Sequence, residues 1–244
     1  MYKRQVPLCR SFDTIGPIVK TVDDAGLLFS VITSNKPSDL EHKSIERGRL
    51  AILKGTALDD LQQKPALAFE ASVKALSNFG FKIKEIEIGE VESALALSGL
   101  VYPSEAYAEW KHKIEAAPEL MYGEILQRFR GGKDVLASEY LKAMRDLEIF
   151  KKQYVAKCSE FDGIILPTCP IMPPNLERLE SDNGYYVSQN LMALRNTRIG
   201  NLMGICSLTI PTTYNSCGLS IMALPNREEK LLSLGKAAEM AILK

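Results

Sequence analysis

The 244-residue sequence balances 30 Lys+Arg against 30 Asp+Glu, with 46% hydrophobic and 25% charged residues. Balanced charge gives no electrostatic case for nucleic acid or an acidic membrane surface as partner, and no apolar run approaches the ~20 residues of a membrane helix or resembles a signal-peptide core. Five scattered cysteines (Cys9, Cys158, Cys169, Cys206, Cys217) without CxxC or His pairing disfavour a disulfide framework and a zinc site, so a cytoplasmic chain without metal or cofactor is expected. Its length corresponds to one or two domains, able to bury roughly 70–75% of the unfolded surface.

In chain order, Thr21 and Asp24 form a capping box, followed by Ala25, Leu28, Phe29 and Ile32 as one predicted buried stripe. "SNKPSDLEHK" at 34–43 is a polar loop, and "RLAIL" at 49–53 is a short buried strand. Pro65 begins a helix with Phe69, Val73, Leu76 and Phe79 on its apolar face and Gly80 just past its end. "FKIKEIEI" is a strand whose alternation slips at Lys84-Glu85, which predicts a bulge or a change of exposed face. Three helices follow: 90–112, one after Pro118, and a long one carrying Leu136, Tyr140, Met144, Leu147, Phe150, Tyr154 and Cys158. "DGIILPTCP" is a continuous apolar strand ending at Pro167. "LTIPTT" and "GLSIMAL" are strands joined by a turn at "YNSC". A last helix takes Asn226 as N-cap and faces Leu231, Leu234, Ala238 and Ile242 inward. This order predicts an α/β layer structure with a mixed β-sheet flanked by helices.

No stand-alone catalytic constellation is visible. G-x-S-x-G, P-loop and G-x-G-x-x-G patterns are absent. His42 and His112 lie in polar surroundings, and Cys169 in "PTCP" reads as a small packed residue before it reads as a nucleophile.

Ordered motifs say more. "SFDTIGPIVKTVDDAGLLFSVI" at 11–32 resembles the opening segment S-[LF]-D-T-x-G-P of the amidase signature family, through Ser11, Asp13, Thr14, Gly16, Pro17, Lys20, Thr21, Val22, Asp24, Ala25, Leu27 and Leu28. "FDGIILPTCP", "RNTRIGNLMGICSLTIPT" and "CGLSIMALPNREEKLLSLGKAAE" resemble later segments in the same order. The resemblance implies the C-terminal part of the amidase signature fold. It also implies hydrolysis of a carboxamide by a Ser-Ser-Lys triad, with backbone N–H groups holding the oxyanion. The family places that triad upstream of the opening motif, in a Lys-bearing strand and a Gly/Ser-rich loop, so no catalytic residue is assigned here. Residues 1–5, "MYKRQ", are expected to be an adapter-derived or disordered tail. Residues 6–244 are expected to be the C-terminal portion of one amidase signature domain, truncated and inactive alone. A non-catalytic pseudoenzyme or interaction subunit is the alternative.

The family includes the A subunit of glutamyl-tRNA amidotransferase, which carries an Asp seven residues before the Asn of its T-x-x-x-N segment. Thr197 and Asn201 match that segment, but Leu194 stands in place of the Asp. An apolar side chain cannot hold an α-ammonium group, which disfavours the amidotransferase and favours a general amidase of linear amides. Because α/β sites assemble at strand ends, residues 11–17 are expected near the end of strand 163–168 and near Asn201. Thr168, Leu191, Leu194, Arg198 and Asn201 are the substrate-binding candidates, with Arg198 able to grip a carboxylate in bidentate fashion. The expected partner is a small-molecule amide; a homodimer is the self-association to test.

Overall fold

The computed structural model describes residues 6–35 and 48–243. The tail expected at 1–5, His42 and most of the loop at 34–43 lie outside the described residues. Strands β1 (Arg49–Leu53), β2 (Lys82–Ile86), β3 (Gly163–Pro167), β4 (Cys206–Pro211) and β5 (Gly218–Ala223) form one mixed sheet in the order β2-β1-β3-β5-β4. β1 runs parallel to β2 and β3; β5 runs antiparallel to β3 and β4. Every residue of β3 is buried, as a continuous apolar run requires of a central strand. Of the bulge or change of exposed face expected at Lys84-Glu85, the structure shows the second: the β1–β2 register runs unbroken from Arg49–Lys82 to Leu53–Ile86, while Ile83 packs on one core and Ile86 on the other. The alternation slips because β2 is an edge strand, where Glu85 can pair with Lys54 in solvent.

Alternate strand positions feed two cores. Ala51, Leu53, Ile164, Leu166 and Met222 pack against helices α3 (Gly89–Ala116), α5 (Ala137–Cys158) and α7 (Asn183–Met203). Leu50, Ile165, Leu219 and Ile221 pack against α2 (Gln63–Phe79) and α8 (Glu228–Leu243). The short α4 (Gly123–Arg130) lies along α3, and the six-residue α6 (Leu176–Ser181) precedes α7. Gly132 brings the chain after α4 against α3, where an added Cβ would stand 2.1 Å from the Pro103 carbonyl oxygen. Among the described residues no helix is long and apolar enough to cross a membrane.

Three details depart from the sequence reading. Helix α1 (Val22–Thr33) has the expected Thr21 cap, but Leu28 and Ile32 are 40% and 38% exposed. It meets α8 through its small-residue edge, with Val22 and Ala25 on Leu232, so its larger side chains point away. Leu136 is the exposed N-cap of α5, outside the helical stripe it was expected to join. Asn226 does not cap α8; it sits in the left-handed region (φ 59°) and the helix starts at Glu228.

Two polar ties hold the layers in register. Asn196 on α7 is fully buried, and its Nδ2 donates to the carbonyls of Ala57 (2.9 Å) and Pro167 (2.7 Å). Asp162, just before β3, accepts from the Arg49 backbone N–H (2.7 Å) and from Lys230 of α8 (2.5 Å). Burial pushes the Asp162 carboxyl up, but those two donors outweigh it and leave the group below its ordinary value.

Asn196→Ala strands two buried carbonyls and is expected to cost about 2–4 kcal/mol, lowering Tm by roughly 5–15 °C in a thermal melt. The depressed Asp162 carboxyl makes its contribution fully present above the unfolded-state value near ~3.9 and lost as pH falls through the lower folded value. Tm measured against pH should therefore show the parent losing its advantage over Asp162→Asn in that acidic window, with the gap constant at neutral pH.

Candidate functional site

Residues 6–20 lie outside helix and strand, with a turn in which the Phe12 and Asp13 N–H groups donate to the Cys9 carbonyl. Asp13 folds back to accept from the N–H groups of Leu8 (3.0 Å) and Cys9 (3.2 Å). The Ser11 N–H donates to Glu105 (2.9 Å), whose other oxygen accepts from the Tyr140 hydroxyl (2.6 Å). Arg10 pairs with Glu109, and the Trp110 indole donates to the Pro7 carbonyl (2.7 Å). Phe12 is buried edge-on against Tyr102, with ring centroids 4.8 Å apart. The segment is thus fastened along α3.

Helix α7 completes the attachment. Asn201 Nδ2 donates to the Phe12 carbonyl (2.7 Å), and its Oδ1 accepts from the Tyr102 hydroxyl (2.8 Å). Both ends of the Asn201 amide are therefore engaged, and the side chain positions the segment. Burial pushes the Tyr102 phenol well above its ordinary value, so it remains a donor at neutral pH.

The structure places Thr168 at the end of β3 among hydroxyls. Its Oγ1 lies 2.8 Å from Ser220 Oγ and 3.4 Å from Thr209 Oγ1, while its N–H donates to the Gly218 carbonyl. Leu191 and Leu194 are each 46% exposed on α7; Arg198 is half-buried. α7 reaches the end of β3 through Asn196, which lies about 200° around the helix from Arg198 at ~100° per residue. No hydrogen bond joins Thr168 to Leu191, Leu194 or Arg198; the shared helix links the two places.

Sequence reasoning missed Asn196, Asn190, Tyr102 and Arg128. Arg128 of α4 donates to the Asn190 side chain on α7. Arg195 is a structural residue, donating to the Asp59 carbonyl (2.6 Å) and to Asn196 (3.2 Å). A polar side chain at an inward helical position, as at Asn196, was the one available signal. Burial, with Glu105 and Asp13 adding to it, pushes the Cys9 thiol up to about 12; burial likewise takes Cys158 up to about 12. A shift in this direction disfavours the thiolate form that a nucleophile needs.

Comparison with known proteins agrees with this geometry. The chain is 27% identical over 252 residues to 2-amino-5-chloromuconic acid deaminase of Comamonas testosteroni, covering 97% of this chain and 53% of that protein. It is 28% identical over 275 residues to the A subunit of glutamyl-tRNA(Gln) amidotransferase from Sulfurisphaera tokodaii, covering 94% and 57% respectively. A solved amidase crystal structure superimposes with a TM-score of 0.82 at 18% identity, over 97% of this chain and 55% of that one. The chain thus spans a little over half the length of these relatives. The family model described as Amidase matches residues 2–232, and the chain belongs to that amidase family.

Proposed function

We propose that this chain forms part of the substrate pocket of a hydrolase that cleaves the C–N bond of a linear carboxamide. The observation that carries this reading is α7 itself, which bonds the family's opening motif through Asn201 and the end of β3 through Asn196. In this reading the nucleophilic serine, the bridging serine and the lysine come from sequence N-terminal to residues 11–17. The serine hydroxyl attacks the carbonyl, its proton passes through the second serine to the lysine, and backbone N–H groups hold the oxyanion. Thr168, backed by Ser220 and Thr209, offers a hydroxyl at the end of β3, apart from the Arg198 face of α7. Leu191 and Leu194 offer apolar contact, Arg198 a grip on a carboxylate, and Asn201 positions the opening segment.

The Comamonas testosteroni relative is named for an acidic substrate, which supports an Arg198 contact to a carboxylate. Similarity to the glutamyl-tRNA(Gln) amidotransferase of Sulfurisphaera tokodaii favours a second reading, but Leu194 gives that reading no group to hold an α-ammonium.

The purified chain, assayed with simple aliphatic and aryl amides, is expected to show no turnover above background. Supplying, N-terminal to this chain, a segment with the family's Lys-bearing strand and Gly/Ser-rich loop should bring activity. Turnover by the chain alone that persists through further purification and in Cys169→Ala would sink the reading.

Helix α1 presents Leu27, Leu28, Val31 and Ile32 to solvent, at 55%, 40%, 67% and 38% exposure. Four such side chains on one short helix make an apolar patch that favours association. Size-exclusion chromatography with light scattering should find the chain self-associated, and Leu28→Lys with Val31→Glu should shift it toward monomer. A dispersed monomer of the unmodified chain would contradict this.

A further inference from the structure

We propose that Cys169 and Cys217 are a redox-responsive pair, two thiols facing one another where β3 ends and β5 begins, which a small disulfide of the oxidised-glutathione class converts into an intramolecular disulfide. The proposal does not rest on the amide-hydrolase reading above.

Strand register brings the two together. β3 and β5 pair antiparallel from Ile164 opposite Met222 to Pro167 opposite Leu219. One step on, the Thr168 N–H donates to the Gly218 carbonyl (2.9 Å), so those residues also face one another. The next residues outward are Cys169 and Cys217. Beyond a hydrogen-bonded pair an antiparallel ladder has a non-hydrogen-bonded one, with Cα atoms about 4.5 Å apart and side chains on one face. Cys217 behaves as that position requires. Its N–H donates to the Tyr214 carbonyl (3.2 Å) and its carbonyl accepts from the Thr212 N–H (3.1 Å), so both backbone groups are spent away from β3. A disulfide needs Cα atoms about 4.4–6.8 Å apart, a range that includes this separation. The chain beyond Cys169 is held as well. The Pro170 carbonyl accepts from the Gln62 N–H (2.9 Å), and the Met172 N–H donates to the Gln62 side chain (2.8 Å). Closing the bond asks for side-chain rotation between two anchored backbones.

Both thiols are free and half-buried, within reach of a small oxidant, whereas Cys9 and Cys158 are buried. Cys206 lies at the far end of the β4–β5 pair, opposite Ala223. In the reaction one cysteine, as thiolate, attacks a sulfur of the small disulfide, forming a mixed disulfide and releasing one small thiol. The second cysteine attacks the protein-side sulfur of that mixed disulfide and releases the other small thiol. Two protein thiols are oxidised to one disulfide, and the small disulfide is reduced to two thiols that take up both protons. The new bond would pin the end of β3 to the start of β5 one residue past Thr168, closing a loop that contains α6, α7 and β4. Burial pushes the Cys217 thiol up, against the pull of Lys64 and with Cys169 adding to the rise, so the exchange calls for mildly alkaline buffer.

The test incubates the purified native chain with oxidised glutathione and a metal chelator, blocks remaining thiols with N-ethylmaleimide, and reads intact mass and a non-reducing peptide map. The main product should have lost two hydrogens and carry a Cys169–Cys217 link that dithiothreitol undoes. It should exceed the doubly glutathionylated chain by at least about tenfold, because the second attack is intramolecular. Trypsin leaves Cys158 with Cys169, and Cys206 with Cys217, so fragmentation of the linked peptides assigns the bond. Cys158→Ser and Cys206→Ser should still close it. Cys169→Ser and Cys217→Ser should each stop at a mixed disulfide on the remaining partner. A chain that accumulates stable glutathione adducts at both positions, a link through Cys206 or Cys158, or closure that survives Cys169→Ser overturns the proposal. If the Ser variants do not fold, the linked peptide of the parent decides alone. The readout is a covalent bond and not turnover, so its failure leaves the hydrolase reading standing, and failure of that reading leaves the pair.

Discussion

A buried asparagine must have its amide satisfied, and in this fold that demand fixes where α7 can sit. Asn196 is fully enclosed, so its Nδ2 hydrogens must find acceptors inside the protein. They find the Pro167 carbonyl, where β3 gives up its ladder, and the Ala57 carbonyl in the turn after β1. Sliding α7 by one turn would move the amide ~5.4 Å and leave three polar groups unpaired. The helix is therefore registered against the sheet by hydrogen bonds as well as by the packing of Ile199, Leu202 and Met203.

Once α7 is fixed, the other attachments follow along its length. Asn201, five residues on, fastens the opening segment to the same helix and to Tyr102 of α3. Asn190, six residues before Asn196, receives Arg128 from α4. One helix thus joins the strand end, the N-terminal segment and Arg128 of α4. An error in its register would reach all three, as expected when side chains from distant sequence meet at one end of a sheet.

Arg128 runs against the usual economy of a folded interior. Several other charges are matched: Arg10 with Glu109, Arg130 with Glu115, Lys157 with Glu90, Lys236 with Asp23. These pairs are partly exposed and screened, so each adds little stability. Arg128 is the contrast, with a buried Nη2 that has no hydrogen-bond partner.

Element types were legible in the sequence because they rest on local chemistry. The unbroken apolar run of "GIILP" specified a central strand, the Thr21 cap specified the start of α1, and Gly80 specified the end of α2. The ordered motifs specified the family and with it the mixed sheet. What the sequence left open was which face of each helix meets a neighbour. The α1 stripe was misread because periodicity tells apolar from polar, not which surface is covered. The partners of the Asn196 amide and the unpaired Nη2 of Arg128 were decided by tertiary structure alone. Each depends on bringing together groups tens of residues apart, and no local pattern of residue types encodes the distance between them.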